Sequence, residues 1–583
     1  MRKTKIVCTI GPASNGPDVV ERMLEAGMNV ARFNLSHGSS TDHRRALEIV
    51  RTTAAKMKRP LATMLDTRGP EVRLGRFHKG YARLLSGSKV RLTPEPSLST
   101  EDVLSVNYPN LAGVLSTGGS ILLDEGEVVL KVLSTEGSEV LARVVTGGHL
   151  SDHKKVTLPG VALDLDIVSC ADRADIAMGV SEGVDYIAAS FIRTPDDVVA
   201  IRRVIEECGG TQAIIAKIES QQGVDNLPAI LKLSDGLMVA RGDLGVELKP
   251  EEVPLVQKRM IQQANRAGKP VITATQMLES MVMRPRPTRA EASDVANAIF
   301  DGTDAVMLSA ETATGEYPVE AVEVMHRIAV TVEEALDYRS LLAKGLDMRG
   351  KTITDAVSHA SAQAAYDLEA RAIITATESG YTARMVAKYR PQVPVVAVTP
   401  HANSRSRLAL IWGVHPLLAQ ASHNTDELVE ETIAASLAAG YIVPGDVVVV
   451  TAGVPAGIPG TTNLLQVHTV GDVLVRGAGI GQAAATGTVC VAMTALDVRR
   501  KLKAGDILVA TGTDGDFMPY LEKASGIIAE EGGLTSHAAI LGLNLDIPVI
   551  VGAGGATRLL EDGHVVTIDA QRGLVYRGPA RVL

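Results

Sequence analysis

Short runs of β-branched and apolar residues alternate with longer Ala-, Glu- and Arg-rich stretches through the first part of the chain. Strands that alternate with helices are typical of βαβ units and a parallel sheet. Eight runs have the length and composition of strands: Lys5–Ile10, Met28–Leu35, Leu61–Asp66, Tyr186–Phe191, Ala213–Ile218, Gly236–Ala240, Pro270–Ala274 and Asp304–Leu308. Together they predict a (β/α)8 barrel formed by residues 1–70 and 167–345.

The alternation is interrupted once, directly after the third predicted strand. Residues 71–166 contain many short strand-like segments separated by turn signals, which predicts an inserted β-barrel lid domain. A second α/β series occupies residues 346–472, and residues 473–583 are richer in glycine and have shorter elements. The predicted fold class is therefore α/β: a barrel with an inserted β lid, a C-terminal α/β domain and an extra small domain. The length of 583 residues is sufficient for about four domains.

Composition excludes several classes of function. A net charge of -9 and an aromatic content of 3% argue against a nucleic-acid partner, which needs a basic field and stacking side chains. No apolar run is long enough to span a bilayer, and the N-terminal apolar stretch is too short for a signal peptide. A disulfide framework and a zinc site are not indicated either, because the four cysteines are scattered: Cys8, Cys170, Cys208 and Cys490. We therefore expect a cytoplasmic protein without a membrane partner.

Polar side chains follow the predicted barrel strands at their C-terminal ends, where the functional groups of such barrels lie. The second strand ends in Arg32, Asn34 and Ser36, whose spacing places them on one face. The other strand ends contribute Asp66 and Thr67, Lys217 and Glu219, Gly242 and Asp243, Thr275, and Ser309. A barrel-end salt bridge would explain one such pair, but six strands together are better explained by a functional site.

The types of residue at these strand ends favour phosphoryl chemistry with a metal ion. Carboxylates from neighbouring strands, such as Glu219 and Asp243, are ligands that Mg²⁺ prefers. A lysine and arginines beside the metal suit a phosphoryl group, because phosphoryl transfer depends on positioning and charge neutralisation. Gly242 allows backbone N–H groups to approach an anion closely.

The same strand-end motifs resemble those of pyruvate kinase. The matching segments occur in order over about residues 1–472, and they are Ile6–Ser14, Ala31–Gly38, Leu65–Arg73, Ile215–Glu219, Val239–Gly245, Thr273–Met281, Pro287–Glu291 and Leu308–Thr312. The resemblance implies that phosphoenolpyruvate and ADP react to give pyruvate and ATP in the last step of glycolysis. It also implies a homotetramer and a regulatory role for the C-terminal α/β domain.

The resemblance assigns roles to individual residues. Lys217 would lie against the transferring phosphoryl group, and Glu219 and Asp243 would hold Mg²⁺ or Mn²⁺. The other implied catalytic residues are Arg32, Arg73, Thr275 and Ser309. The resemblance implies substrate contacts from Arg32, Lys217, Gly242, Asp243 and Thr275. It implies a K⁺ site formed by Asn34, Ser36, Asp66 and Thr67. The implied nucleotide contacts come from Thr9, Pro12, Asn34, His37, Arg73 and Asp164.

Two further points concern the reaction. In the family, a carboxylate at the position of Glu71 goes with K⁺ dependence, so we expect a K⁺ requirement; a bound cation would offset the anionic cluster. The donor of the proton to the enolate stays open. Thr275 and Ser309 lie near the relevant face in the family, but a hydroxyl is a poor acid unless it relays a proton from water.

A loop in the second α/β series resembles the family's effector loop. Thr377, Ser379, Gly380 and Thr382 offer hydroxyl and N–H groups for a phosphate, although a plain helix cap would have the same composition. A second loop over residues 457–463 would close over the effector. Because Glu378 would repel a second phosphate, we expect a monophosphate such as AMP or ribose 5-phosphate in preference to fructose 1,6-bisphosphate.

The C-terminal residues lie outside the common plan of the family. The segment Gly532–Ala539 resembles the swivelling phosphohistidine domain of phosphoenolpyruvate-utilising enzymes, and His537 matches the phosphorylated histidine. Two alternatives to a regulated pyruvate kinase therefore stay open. One is a phosphohistidine carrier acting through His537, for which no ATP-binding features are found in the sequence. The other is a metabolite sensor without turnover, against which the set of catalytic groups argues.

Overall fold

A computed structural model describes residues 1–161, 163–345, 350–420, 424–454, 462–471, 473–481 and 484–580. The chain forms two compact units, one of Met1–Leu341 with His401–Pro416 and one of Leu342–Pro400 with Leu417–Leu583. Within the described ranges, no helix combines the length and the apolar character needed to cross a membrane.

A closed barrel of eight parallel strands lies in the first unit. Its strands are β1 (Lys5–Thr9), β2 (Val30–Asn34), β3 (Ala62–Asp66), β12 (Tyr186–Ala189), β13 (Ala213–Ile218), β14 (Gly236–Ala240), β15 (Val271–Ala274) and β16 (Ala305–Leu308). Their order around the barrel is β1-β16-β15-β14-β13-β12-β3-β2. Apolar side chains such as Val7, Met64 and Ile215 fill the interior. This closed barrel confirms the predicted one. Its strands are apolar because they are buried on both faces.

Helices surround the barrel and bury their apolar faces against its outside. They are α1 (Pro17–Ala26), α2 (Ser40–Lys56), α4 (Cys170–Ser181), α5 (Pro195–Glu207), α6 (Gln221–Asp225), α7 (Leu227–Leu233), α8 (Arg241–Glu247), α9 (Val253–Ala267), α10 (Arg289–Phe300), α11 (Ala310–Ala313) and α12 (Pro318–Glu334), with a short 3₁₀ turn at Glu279–Val282; α13 (Tyr338–Gly345) follows α12. Capping boxes begin four of them, including Thr194 with Asp197 and Thr288 with Glu291. Such boxes satisfy the free N–H groups of the first turn.

The inserted lid is built of short strands and one short helix, α3 (Leu111–Val114). The strands are β4 (Tyr81–Leu84), β5 (Lys89–Thr93), β6 (Val103–Ser105), β7 (Ser120–Leu123), β8 (Val128–Glu136), β9 (Glu139–Thr146), β10 (Gly148–Ser151) and β11 (Val156–Thr157). They form a six-stranded sheet, β11-β7-β8-β9-β5-β6, and a two-stranded sheet, β10-β4, so the lid is a curled half-barrel. The edge strands β6 and β11 have three and two residues, which is too short for extensive pairing across the opening.

Most strands of two further sheets lie in the second unit. A five-stranded sheet in the order β19-β18-β17-β20-β21 consists of β17 (Ala372–Ala376), β18 (Val395–Thr399), β19 (Val414–Leu418), β20 (Val447–Gly453) and β21 (Thr462–Thr469). The helices of this α/β segment in the second unit are α14 (Ile353–Asp367), α15 (Tyr381–Ala387) and α17 (Thr425–Ala438), whereas α16 (Ala402–Leu408) belongs to the first unit. Buried Ile374, Val396 and Val448 form part of its core.

The C-terminal segment forms an eight-stranded mixed sheet in the order β22-β29-β28-β24-β25-β26-β27-β23. The strands are β22 (Val473–Arg476), β23 (Ala478–Ile480), β24 (Ala484–Val491), β25 (Ile507–Ala510), β26 (Gly526–Ala529), β27 (Val549–Val551), β28 (Val565–Asp569) and β29 (Leu574–Arg577). The helices are α18 (Ala495–Lys501), α19 (Met518–Leu521), α20 (His537–Leu545) and α21 (Ala556–Leu559), with a 3₁₀ turn at Gly515–Phe517. The boundary residues that the sequence analysis gives for the four domains stay predictions.

Candidate active site

A cavity of about 370 Å³ lies at the C-terminal ends of the barrel strands, under the root of the lid. Barrel residues from several strands and lid residues such as Lys154 and Lys155 line it together. The predicted site residues that it brings together are Arg32, Asn34, Ser36, His37, Arg73, Lys217, Glu219, Asp243 and Thr275. The strand-end pattern therefore identifies groups that converge in space.

Lys217, on β13, lies between two carboxylates. Its Nζ is 2.9 Å from Oδ1 of Asp66 and 3.0 Å from Oε1 of Glu219, and it donates to Oγ of Ser190 at 2.7 Å. Burial by itself would lower the pKa of Lys217, but the charges of Asp66 and Glu219 raise it above its ordinary value. Lys217 is therefore a fixed positive charge at the wall of the cavity.

Asp66, at the end of β3, is a fully buried anchor for two cations. Its Oδ2 accepts from Nε of Arg32 at 2.7 Å and lies 2.6 Å from Nη2, while its Oδ1 faces Lys217. Burial would raise the pKa of Asp66, but Arg32 and Lys217 lower it, so the carboxylate is ionised. Arg32 also donates from Nη1 to Oγ1 of Thr9 at 2.9 Å, which fixes its guanidinium at both ends.

Glu219 and Asp243 form a pair of neighbouring carboxyl groups. Glu219 is 1% exposed and accepts from the backbone N–H of Phe191 at 2.6 Å, and both Glu219 and Asp243 line the cavity. Burial raises the pKa of Glu219 to about 7; Lys217 opposes this shift and the charge of Asp243 adds to it. Burial also acts to raise the pKa of Asp243, but Lys155 lowers it.

This carboxylate pair suits a hard divalent cation. Two adjacent carboxyl groups supply oxygen ligands, and Mg²⁺ usually keeps several waters and substrate oxygens beside one or two carboxylates. In the described part of the chain, no three His, Cys, Asp or Glu side chains converge on a common metal position. Glu219 and Asp243 would therefore hold the ion with substrate and water as the remaining ligands.

Thr275 follows β15 in an unusual backbone conformation. Its φ is +66°, and that of Gln276 is +52°, a region that non-glycine residues seldom adopt. Oγ1 of Thr275 accepts from the N–H of Gly242 at 2.8 Å, and its carbonyl accepts from Nη2 of Arg241 at 2.7 Å. Arg241 is held in turn by Asp294. Strain of this kind typically marks a positioned functional group, and here it fixes the hydroxyl of Thr275 at the wall of the cavity.

Several predicted residues do not line this cavity. Thr9, Asp66 and Thr67 are buried beneath it, and the K⁺ set is consequently divided, with Asn34 and Ser36 at the surface of the cavity. Four more predicted residues lie outside the lining. The N–H of Gly242 donates to Thr275, and the buried Oγ of Ser309 has no hydrogen-bond partner among the described residues. Pro12 and Asp164 are exposed. Their roles stay predictions.

Two residues that the sequence analysis does not single out contribute to the site. Ser190 follows β12 and donates from Oγ to the carbonyl of Thr67 at 2.7 Å, with Lys217 donating to it in turn. The strand-end rule, applied to the fourth strand, would have identified it. Lys155 reaches the cavity from the lid and pairs with Asp243. No periodic signal in the sequence connects Lys155 to the barrel.

The predicted effector loop begins at the end of β17. Thr377 is buried, Ser379 is exposed, and Gly380 has a φ of +80° immediately before α15. The Oγ1 atoms of Thr382 and Thr462 lie 3.0 Å apart, which connects the loop to the start of β21. Residues 457–461 of the second predicted loop lie outside the described residues. The loop's role as an effector site stays a prediction.

His537 is the first residue of α20 in the C-terminal segment. Its Nδ1 lies 3.1 Å from Oγ1 of Thr513, and the preceding Ser536 caps the helix by accepting from the N–H of Ala539. The side chain is partly exposed. This position is compatible both with a structural histidine at a helix start and with a phosphate acceptor.

Glu247, four residues after Asp243 on α8, provides a test of the contact between barrel and lid. Burial raises its pKa to about 7, while the N–H of Gly160 and the charge of Lys155 oppose the shift. The pKa of Glu247 is higher in the folded than in the unfolded chain. The folded state is therefore relatively most stable below pH 4.5, and this stability is lost as the pH rises through 7. We expect Glu247→Gln to unfold like the wild type at pH 5 and to be more stable by roughly 1–3 kcal/mol at pH 8.

Urea denaturation at the two pH values measures this difference. Glu252, which is exposed and directly precedes α9, is the control position, and Glu252→Gln should leave the free energy of unfolding unchanged at both pH values. A Glu247→Gln variant that is equally stabilised at pH 5 and pH 8 would contradict a buried, protonated Glu247.

Comparisons with known proteins agree with this geometry. The model of the pyruvate kinase barrel domain matches residues 1–322, and that of the pyruvate kinase alpha/beta domain matches residues 355–468. The mobile domain of PEP-utilising enzymes matches residues 502–573.

Relatives match over their full length. The chain is 51% identical to a pyruvate kinase of Geobacillus stearothermophilus over 585 residues, 50% identical to one of Bacillus licheniformis over 586, and 49% identical to one of Sporosarcina psychrophila over 586. In each case the match covers 100% of both chains. The extra C-terminal segment is therefore shared with these relatives.

Proposed function

The chain belongs to the pyruvate kinase family, and from this premise we propose how its barrel transfers the phosphoryl group of phosphoenolpyruvate to ADP. The observation that carries the proposal is the position of Lys217, held at 2.9 Å from Asp66 and 3.0 Å from Glu219 at the wall of the strand-end cavity. A fixed cation at this place would neutralise the charge that the transferring phosphoryl group carries in the transition state.

Glu219 and Asp243 are proposed to hold Mg²⁺ or Mn²⁺. The bound ion would supply charge neutralisation and a template for the oxygens of phosphoenolpyruvate or pyruvate. Arg32, which Asp66 fixes through two nitrogen atoms, would bind the phosphate or carboxylate of the substrate. These side chains need little reorganisation, because their own ion pairs already orient them.

Thr275 is the better placed of the two hydroxyls considered for protonation of the enolate. Its residue lines the cavity, whereas Ser309 does not. The hydroxyl would pass on a proton from water instead of acting as the ultimate acid. Arg73, at the root of the lid, and His37, after β2 of the barrel, both line the cavity and would meet the nucleotide.

Formation of pyruvate from phosphoenolpyruvate and ADP in the presence of Mg²⁺ tests the proposal. We expect turnover with the full chain, and we expect His537→Asn to retain it, because His537 belongs to the extra domain. Loss of turnover in His537→Asn, together with acid-labile phosphate on the wild type, would favour the phosphohistidine carrier. No turnover in folded wild type would favour the metabolite sensor.

Potassium is expected to raise turnover severalfold. Glu71 adds negative charge at the cavity, where it pairs with Nε of Arg73 at 2.9 Å, and a bound monovalent cation would offset this charge. The measurement compares KCl with tetramethylammonium chloride at equal ionic strength. In Glu71→Lys the new ammonium would replace the charge of the ion, so the effect of K⁺ should shrink. Equal turnover of the wild type in both salts would contradict the K⁺ requirement.

A phosphorylated effector is proposed to bind the loop before α15. Thr377, Ser379, Gly380 and Thr382 would hold a monophosphate such as AMP or ribose 5-phosphate, and Glu378 would disfavour a bisphosphate. We expect either monophosphate to lower the KM for phosphoenolpyruvate, and we expect Thr382→Val to lose this response without a change in basal kcat. Strong activation by fructose 1,6-bisphosphate would contradict the proposal.

We further propose that the active protein is a cytoplasmic homotetramer, as the family resemblance implies.

A further inference from the structure

The ammonium group of Lys155 contacts the Glu219–Asp243 pair that is proposed to bind the metal. Lys155 precedes β11 at the root of the lid, and its Nζ forms an ion pair with Oδ1 of Asp243. The same Nζ lies 3.9 Å from Oε1 of Glu71 and 4.5 Å from the centroid of the Phe191 ring. The side chain is only 17% exposed. The ammonium is therefore held by two carboxylates and an aromatic face instead of extending into solvent.

This contact uses an oxygen that the proposed metal site needs. Because Glu219 and Asp243 are the proposed protein ligands, a divalent ion would take oxygens from both carboxylates. An ammonium on Asp243 and a doubly charged ion on the same carboxylate would lie within a few ångströms of each other and repel. The two cations therefore compete for one position.

We propose that Lys155 is a built-in competitor of the divalent cation, which occupies Asp243 until the metal displaces it. The inference rests on the metal site proposed above. Lys155 would thereby set the metal concentration that the enzyme needs, since only the fraction of molecules with the lysine displaced is competent to bind the ion.

The surroundings provide a second position for the displaced ammonium. A cavity of about 230 Å³ adjoins Lys155 and is lined by Glu71, Asp243 and Glu247. The carboxylate of Glu71, 3.9 Å from Nζ, and the carboxyl oxygens of Glu247 offer alternative hydrogen-bond acceptors for the ammonium within this cavity. The backbone at the lid root is fixed, because Lys155 bridges to Arg73 and the N–H of Val156 donates to the carbonyl of Val72 at 2.8 Å. The exchange therefore needs a side-chain movement only.

The adjacent Lys154 is a matched control. It has the same charge and lies in the same lid segment, and it also lines the larger cavity. Its Nζ, however, pairs with Oδ1 of Asp124 at 2.8 Å, within the lid. Removing the charge of Lys154 would change the electrostatic potential at the site without vacating Asp243, which separates competition for a position from general charge repulsion.

Binding of Mn²⁺ to the full chain without substrates tests the inference, with free Mn²⁺ measured by electron paramagnetic resonance. We expect Lys155→Gln and Lys155→Met to bind Mn²⁺ about tenfold more tightly than the wild type, which corresponds to a competent fraction of about a tenth in the wild type. Lys155→Arg, which keeps the cation, should bind like the wild type, and Lys154→Gln should change the affinity by less than about twofold. Asp243→Asn should bind far more weakly.

The outcomes test the competitor role of Lys155 and the existence of the metal site separately. Unchanged or weaker binding in both neutral Lys155 variants, with weak binding in Asp243→Asn, would overturn the competitor and leave the metal site standing. Equal tightening by Lys154→Gln would also overturn it, because charge alone would then explain the effect. Unchanged binding in Asp243→Asn would overturn the metal site and the competitor together. Two neutral replacements guard against a folding defect in either one, which thermal unfolding would detect.

Discussion

Replacing Lys217 with methionine is expected to lower kcat for pyruvate formation by at least about a thousandfold, the effect of removing a positioned cation or hydrogen-bond donor from a phosphoryl or acyl transition state. Lys217 is the ammonium held between Asp66 and Glu219 at the wall of the cavity. Methionine has a similar length but no charge, so substrate would lose a partner that matters most when charge develops on the transferring group.

The measurement is kcat at saturating phosphoenolpyruvate, ADP and Mg²⁺. Lys56→Met is the control, because the side chain of Lys56 is largely exposed and only pairs loosely with Glu21, at 3.5 Å. It should keep full turnover. Thermal unfolding must accompany the assay, since Lys217→Met removes the cation next to buried Glu219 and leaves buried Asp66 paired with Arg32 alone. A folded Lys217→Met protein with near-normal kcat would refute the role proposed for Lys217.

The second large effect is expected for stability, in Asp66→Asn. We expect the free energy of unfolding to fall by about 3–5 kcal/mol at pH 7, the usual effect of removing one partner from a buried ionic network. Asp66 is fully buried and neutralises both Arg32 and Lys217. Asparagine has nearly the same shape, so the loss would come from buried Arg32 without its carboxylate partner and from Lys217 with Glu219 as its remaining counterion.

The pH dependence gives this prediction a characteristic sign. The pKa of Asp66 is lowered in the folded protein, so its stabilising contribution is present above about pH 4 and is lost on acidification. The difference between wild type and Asp66→Asn should therefore narrow below pH 4. Chemical denaturation at pH 7 and at about pH 3, below the ordinary pKa of an aspartate, measures it. Glu139→Gln, which removes an exposed pair with Arg91 at 3.4 Å, should change stability by less than about 0.5 kcal/mol at either pH. If the free energies of unfolding of wild type and Asp66→Asn differ by the same amount at both pH values, this would argue against an ionised Asp66.

Asp66 also illustrates where sequence analysis ends. Its position directly after a buried run identifies it as a strand-end group, and the family resemblance assigns it to a K⁺ site. In the fold its oxygens accept from Arg32 on β2 and face Lys217 on β13. Strands β2 and β3 are neighbours, but β13 is separated from β3 by β12 in the barrel. The meeting of these three residues therefore depends on barrel closure, and no local pattern contains that information.

Local patterns in the sequence specify the eight strands, the interruption for the lid and the set of polar residues at the strand ends. These features follow from local periodicity, because a buried strand must be apolar and a parallel barrel places its strand ends at one mouth. The tertiary structure alone decided that Lys155 of the lid reaches Asp243, that Thr275 is held in a left-handed conformation, and that Ser309 lies outside the cavity lining. Each depends on contacts between segments far apart in the chain, whose geometry is fixed only when the elements pack.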